Sequence, residues 1–336
     1  MRGDRRLVTR AVVAGGVAAM ALAASGCGTA ASLPPSGAVA WVATDASVTV
    51  PGSSITPVNL RTHKAERTVF VGTLPSAMAF TRGGDLLVVS QGDDTLHEIN
   101  PSSGAQLHSA GVGVEPDAVA VAPGGTRGAG IALVANLDSD SVTPVDLGTW
   151  RAGPSIAVGS QPVAIGVAAN GAGAATAYVV DFGSNQVTPI AVSTLRAGPP
   201  IAVGQSPQAI AIAPGLALVG NFGDHTLTPI NTATSQAGPA VALPLEPTGI
   251  AVTSSGATAY ISGGASIVGL TVAGLVMGSP IALPDVAQGI ALNTQDTTAW
   301  VTLQAGSLVP VALPSGAVGR PVHLGGHPSA VVIDDR

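Results

Sequence analysis

Four ionisable side chains could do acid–base or Lewis-acid chemistry if the fold brings them to one place: Glu115, Asp117, Glu246 and His327. A carboxylate or imidazole works as a general base only within hydrogen-bond reach of a substrate, and carboxylate oxygens suit hard cations. Gln161, Gln208, Thr248 and Gln288 stand at matching places along the chain and would add hydrogen-bonding groups. All eight flank the start of a short apolar run, most of them beside a proline. They are the candidate residues for binding a ligand or partner. No resident cofactor is expected, although a divalent cation is one ligand such a set accepts.

Other constellations fail on spacing. There is no Gly-x-Ser-x-Gly turn, and the single cysteine, Cys27, follows an apolar N-terminal run. Gly128-Ala-Gly130 lacks the third glycine of a nucleotide loop and precedes a strand pattern. Asp138-Ser-Asp140-Ser opens like a calcium loop, yet Thr149 stands where an EF-hand needs glutamate. The six histidines are scattered. His323 and His327 are four apart, a spacing that converges on a metal only along a helix. All six read as ordinary surface residues. A net charge of -6 argues against nucleic acid as a partner.

The elements that must position these groups come from a repeat. Val42, Val88, Val134, Val179, Val219, Ile261 and Val301 mark seven copies, with gaps of 46, 46, 45, 40, 42 and 40 residues. In the fourth copy Val163–Val167 reads as an inner strand, Ala177–Val180 as a second and Gln186–Ala191 as a third. Pro200–Val203 reads as the outer strand. The composition, with 44 Gly, 26 Pro and 10% charged residues, suits short strands and tight turns. A β-only repeat of this length predicts an all-β, seven-bladed propeller. The first copy lacks an inner strand and the C-terminus ends on an orphan one, Ala330–Ile333. Pairing the two would close the ring and remove two open edges. Ala or Gly at Ala77, Ala118, Ala164, Ala209, Gly249, Gly289 and Ala330 alternates with bulkier Met78, Val119, Ile165, Ile210, Ile250, Ile290 and Val331. Such period-two alternation suits wedges converging on an axis. Pro57, Pro144, Pro189, Pro229 and Pro310 conflict with this reading, because proline cannot donate to a ladder. A bulge in each third strand, or an interrupted ladder, is expected there.

Leu133-Val-Ala-Asn136, Tyr178-Val-Val-Asp181 and Leu218-Val-Gly-Asn221, with the Val-Gly-x-x-Pro phrases at Val158 and Val203, resemble the YVTN or YncE-like propeller repeats of bacterial and archaeal envelope proteins. The resemblance runs from about residue 38 to the end. It implies the fold and a place in the cell envelope more than any activity.

The N-terminus agrees with export. Arg2, Arg5, Arg6 and Arg10 precede a 14-residue apolar run, Ala11 to Ala24, and then Ser25-Gly26-Cys27. This reads as a signal peptide over 1–27. It is too short to span a bilayer. Its ending resembles a lipobox, which implies lipidation of Cys27, with plain secretion as the alternative. Residues 28–38 read as a flexible tether and 39–336 as the propeller.

Loops placed by propeller topology divide the charges. Asp45, Asp93, Asp94, Glu115, Asp117, Asp138, Asp140, Asp181, Asp224, Glu246 and Asp285 fall on one face with no Lys or Arg. All nine bases after the signal fall on the other side, which they share with six acids, Glu66, Asp85, Asp146, Asp296, Asp334 and Asp335. The expected product is a monomeric, envelope-anchored binding module that meets a protein, peptide or glycan on its acidic face. In this reading it touches the membrane through the lipid alone. A metal-assisted lactonase- or lyase-like enzyme at the channel mouth and a purely structural envelope protein are the alternatives.

Overall fold

The computed structural model describes residues 38–45, 54–169 and 174–334. The expected signal peptide with Cys27, most of the expected tether, the expected Asn170-Gly171 turn and Arg336 lie outside the described residues. Asp45 is described in its backbone only.

Seven antiparallel sheets form the ring. Blade II shows the plan: inner strand Pro75–Phe80, second strand Leu86–Ser90, third strand Thr95–Ile99 and outer strand Gln106–Gly111. The inner strands of blades III to VII begin at Pro116, Pro162, Pro207, Gly249 and Ala287. Blade I is built from both ends of the chain. Its inner strand is His327–Asp334, paired antiparallel with the second strand Val39–Asp45.

Closure follows from burial. Each blade presents two apolar faces, because successive side chains along a strand point to opposite sides. In Val39–Asp45, Ala40 and Val42 enter the core shared with blade VII, while Trp41 and Ala43 enter the core shared with blade II. Seven such cores lie between the seven pairs of neighbouring blades. Among the described residues, all seven cores are assembled from Val39 onward. The small inner-strand residues let backbones approach. A Cβ on Gly289 would sit 3.2 Å from Thr302 Oγ1 and 3.3 Å from the Ser329 carbonyl oxygen.

The third-strand prolines sit in regular ladders. Pro144 pairs with Leu133, Pro189 with Tyr178 and Pro229 with Leu218, without any shift in register. The expected third-strand bulge is therefore not there. The interruption lies in the outer strand, which is split into two short pieces in blades I, III, IV, V and VI. At the break a glycine amide still donates to the proline carbonyl: Gly153 to Pro144, Gly198 to Pro189 and Gly238 to Pro229, each at 2.7 Å. A strand residue's N and O point the same way. The missing proline N–H thus faces a position where the ladder has already parted. The bulges occur instead in the inner strands, at the residue after the junction proline: Ser76, Asp117, Val163, Gln208 and Ser329, and at Gln288 after Ala287.

Candidate functional site

In blades III, IV and V the rim around the channel is organised by the last residue of the second strand. In blade III, Asn136 accepts the Gly113 amide at 3.0 Å through Oδ1, and its Nδ2 donates to Thr143 Oγ1 at 3.0 Å. Asn221 repeats the second contact, donating to Thr228 Oγ1 at 2.9 Å. In blade III these bonds tie together the Asn of the second strand, the Thr of the third and the Gly that opens the junction. Glycine is required at the junction. A Cβ on Gly113 or Gly204 would lie 2.6 Å from the Asn136 or Asn221 Cγ. Blade IV places an acid in this seat. Asp181 is fully buried and accepts Thr188 Oγ1 at 2.6 Å. Burial pushes its carboxyl up to about 6, against the pull of Thr188, Gln186 and the Gly159 amide.

Beyond the glycine the chain turns sharply. Leu74, Glu115, Gln161 and Ser206, each immediately before a proline, adopt left-handed backbone with φ between 49° and 54°. Side chains of the preceding blade hold three of these turns. Asp94 Oδ1 accepts the Glu115 amide at 2.9 Å, Asp140 Oδ1 the Gln161 amide at 2.8 Å, and Asn185 Oδ1 the Ser206 amide at 2.7 Å. Asp224 accepts the Gln205 amide and Asp285 the Ala305 amide. Several acids on this face are therefore also the fasteners of its loops.

The eight candidate residues separate into two tiers. Glu115, Gln161, Glu246 and His327 sit on the rim, half-buried or exposed. Asp117, Gln208, Thr248 and Gln288 lie one turn deeper, at or beside the inner-strand bulges, where a bulge re-aims a side chain. Asp117 is only 4% exposed and accepts Gln91 Nε2 at 2.6 Å. Thr248 is buried and donates to the Ala287 carbonyl of the next blade at 3.1 Å. Gln208 is 2% exposed, and its Oε1 has no hydrogen-bond partner.

These tiers do not merge into a catalytic cluster. His327, Glu115 and Glu246 open blades I, III and VI, so no two of them are neighbours on the ring. Among the described residues, no three His, Cys, Asp or Glu side chains gather as a metal-ligand group. In the Asp138–Ser141 loop, Asp140 accepts the Gln161 amide and neighbouring Ser139 the Val114 amide. His225 lies 3.5 Å from Glu246 on the exposed rim.

One histidine departs from the surface reading. His97 is buried in the third strand of blade II, paired with Val88 at the seat that Thr143 fills in blade III. Burial holds its imidazole below the usual histidine range, although Asp93 at 4.0 Å pulls the other way. Sequence reasoning also missed the Gln91–Asp117 bond and the Glu98–His108 pair at 2.7 Å, with His108 stacked on Trp150. Each joins residues from different strands or blades, so only repeat alignment at the level of side-chain seats would have shown them. Two grooves lie away from the channel. One of about 270 Å³ contains His63 edge-on to Trp300, and one of about 480 Å³ lies beside Ser139–Ser141.

The charge division holds among the described residues. The rim face carries Asp93, Asp94, Glu115, Asp138, Asp140, Asp224, Glu246 and Asp285 without Lys or Arg. Arg61, Lys64, Arg82, Arg127, Arg151 and Arg196 lie at the opposite ends of the strands, Arg67 at the outer-strand break of blade I, and Arg320 just before the outer strand Val322–His323 of blade VII.

No protein-family model matches the chain, and no curated sequence matches it. Solved structures do resemble it. A functionally unknown protein from Desulfotomaculum acetoxidans superposes with a TM-score of 0.74 at 16% identity, covering 88% of this chain and 98% of the other. A Bacteroides fragilis protein provisionally described as a 6-phosphogluconolactonase gives 0.70 at 14% identity, covering 90% and 99%. Hydrazine synthase of Kuenenia stuttgartiensis gives 0.65 at 17% identity, covering 80% and 89%. At these identities the likeness is one of fold: this chain is a seven-bladed β-propeller.

Proposed function

We propose that this chain is a YVTN/YncE-like propeller exported to the cell envelope, anchored by lipid on Cys27, and serving as a binding module. Its acidic rim takes a basic envelope protein, peptide or glycan. The observation that carries the reading is the complete segregation of Lys and Arg away from the channel rim, across six independent loops, with the rim loops pinned by side-chain-to-backbone bonds. Turn chemistry alone favours Asp in loops, but it does not exclude bases from one face. A pinned loop of variable sequence on a repeated scaffold is a suitable recognition surface. Lactonase- or lyase-like chemistry draws less support, because Glu246 and His327 stand on blades that adjoin neither each other nor blade III, which carries Glu115 and Asp117, and Asp117 is already bonded to Gln91.

The test is affinity capture from envelope extract with the chain from Gly28 onward. Capture should weaken with salt. It should be lost when Asp93, Glu115, Asp138 and Glu246 are each replaced by lysine. A capture profile unchanged by these four substitutions would remove the acidic rim as the binding face.

A further inference from the structure

We infer that the face opposite the acidic rim is a docking surface for an anionic lipid bilayer. Arg61 and Lys64 bracket the turn between the third and outer strands of blade I. Arg82 and Arg127 lie in the turns that follow the inner strands of blades II and III. Arg151 and Arg196 open the outer strands of blades III and IV. All six are exposed. Among the described residues, the ion pairs are histidine–carboxylate contacts, and none involves an arginine or lysine. Trp150 and Leu195, both half-buried, immediately precede Arg151 and Arg196. Trp150 stacks on His108 and Leu195 packs against the core between blades III and IV, so the bases themselves are the exposed part of these turns. Three acids share this sector with the six bases: Asp146 accepts from Thr126, Gly148 and Thr149, while Glu66 is exposed and Asp85 half-buried, so the bases outnumber them two to one.

Where the chain enters the ring selects the occupant. The second strand of blade I starts at Val39, paired with Asn59 and Asp334, and runs toward the rim, where Thr44 pairs with Ser54. The N-terminal segment therefore joins the ring at the basic face, next to the turn that carries Arg61. Eleven residues separate Cys27 from Val39. Fully extended they reach at most about 36–40 Å. A lipid on Cys27 thus holds the basic sector of blades I to IV toward the bilayer and turns the acidic rim outward. This orientation rests on the anchored reading above. The contact itself is electrostatic attraction of bases to anionic headgroups.

Co-sedimentation with vesicles tests it, using the chain from Gly28 onward, which holds all the described strands and cores of the ring. Binding is expected to vesicles of phosphatidylcholine mixed with phosphatidylglycerol, to fade as salt rises, and to be absent with phosphatidylcholine alone. The variant carrying Arg82→Glu, Arg127→Glu, Arg151→Glu and Arg196→Glu should lose at least about tenfold in partitioning, with its thermal unfolding matched to the parent. If that variant melts early, the corresponding glutamine substitutions serve instead. Equal binding to both vesicle types, undiminished binding of the variant, or equal affinity for duplex DNA would each overturn the proposal. Mass analysis of lipid on Cys27 in the full chain, with Cys27→Ser as control, tests the anchor separately. A lipidated chain whose ring ignores anionic vesicles would sink the docking surface and leave the anchor standing.

Discussion

Asp181 shows what one atom changes in a repeated seat. Its counterparts Asn136 and Asn221 donate to the third-strand Thr from the same seat without ionising. With its carboxyl raised from 3.8 to about 6, the folded chain holds a proton in that window that the unfolded chain releases. Stability contributed by the protonated form is present below the unfolded value and declines as pH rises toward 6. The full effect amounts to roughly 1.5–3 kcal/mol. Asp181→Asn should therefore raise the unfolding free energy by about that amount at pH 7 and by little near pH 4. Denaturant titrations at the two pH values check it. An equal effect at both would mean that Asp181 is not titrating in the folded ring. The seat was legible in sequence as the last letter of the Tyr-Val-Thr-Asn phrase. Its burial was not, because the donor Thr188 lies on another strand.

At the scale of elements, close approach between inner strands sets the tolerance to side-chain volume. Gly289 lies against the backbone of Ser329 in the neighbouring blade. Gly289→Val should cost about 1–3 kcal/mol through overpacking, seen as a lowered thermal midpoint. A neutral substitution would show that blades VII and I are looser than their contacts imply. The small-large alternation that makes this wedge was readable from the sequence, since strand period is local. The third-strand prolines were misread for the complementary reason. A strand pattern shows that a residue cannot donate but not which neighbour it would have faced. In the ring that neighbour is an outer strand already parted at Gly153, Gly198 and Gly238.

For the molecule as a whole, stability depends on closure. Ala330, Val331 and Val332 are buried, and their strand completes blade I. Removing residues 327–336 would expose the second strand of blade I along its inner edge and open the cores shared with blades VII and II. The truncated chain should melt well below the parent or fail to fold. Calorimetry on the two chains decides this, and an unchanged transition would mean that the ring does not rely on its last strand. Closure also fixes which face each loop occupies, and so makes the separation of acids from bases a property of the ring.

The sequence by itself determined the number of blades, their strand order, the closing pair and the face on which each charged loop falls. All of these follow from period and connectivity, which are written along the chain. Only the tertiary structure decided which polar side chains serve the scaffold and which remain at the rim. Asp94 and Asp140 fasten a neighbouring loop, Asp117 is held by Gln91, and His97 is sealed inside blade II, while Glu115 and Glu246 stay on the surface. The reason is geometric: the partners of these groups come from adjacent strands and blades, tens of residues away, and a polar atom's role depends on which partner arrives.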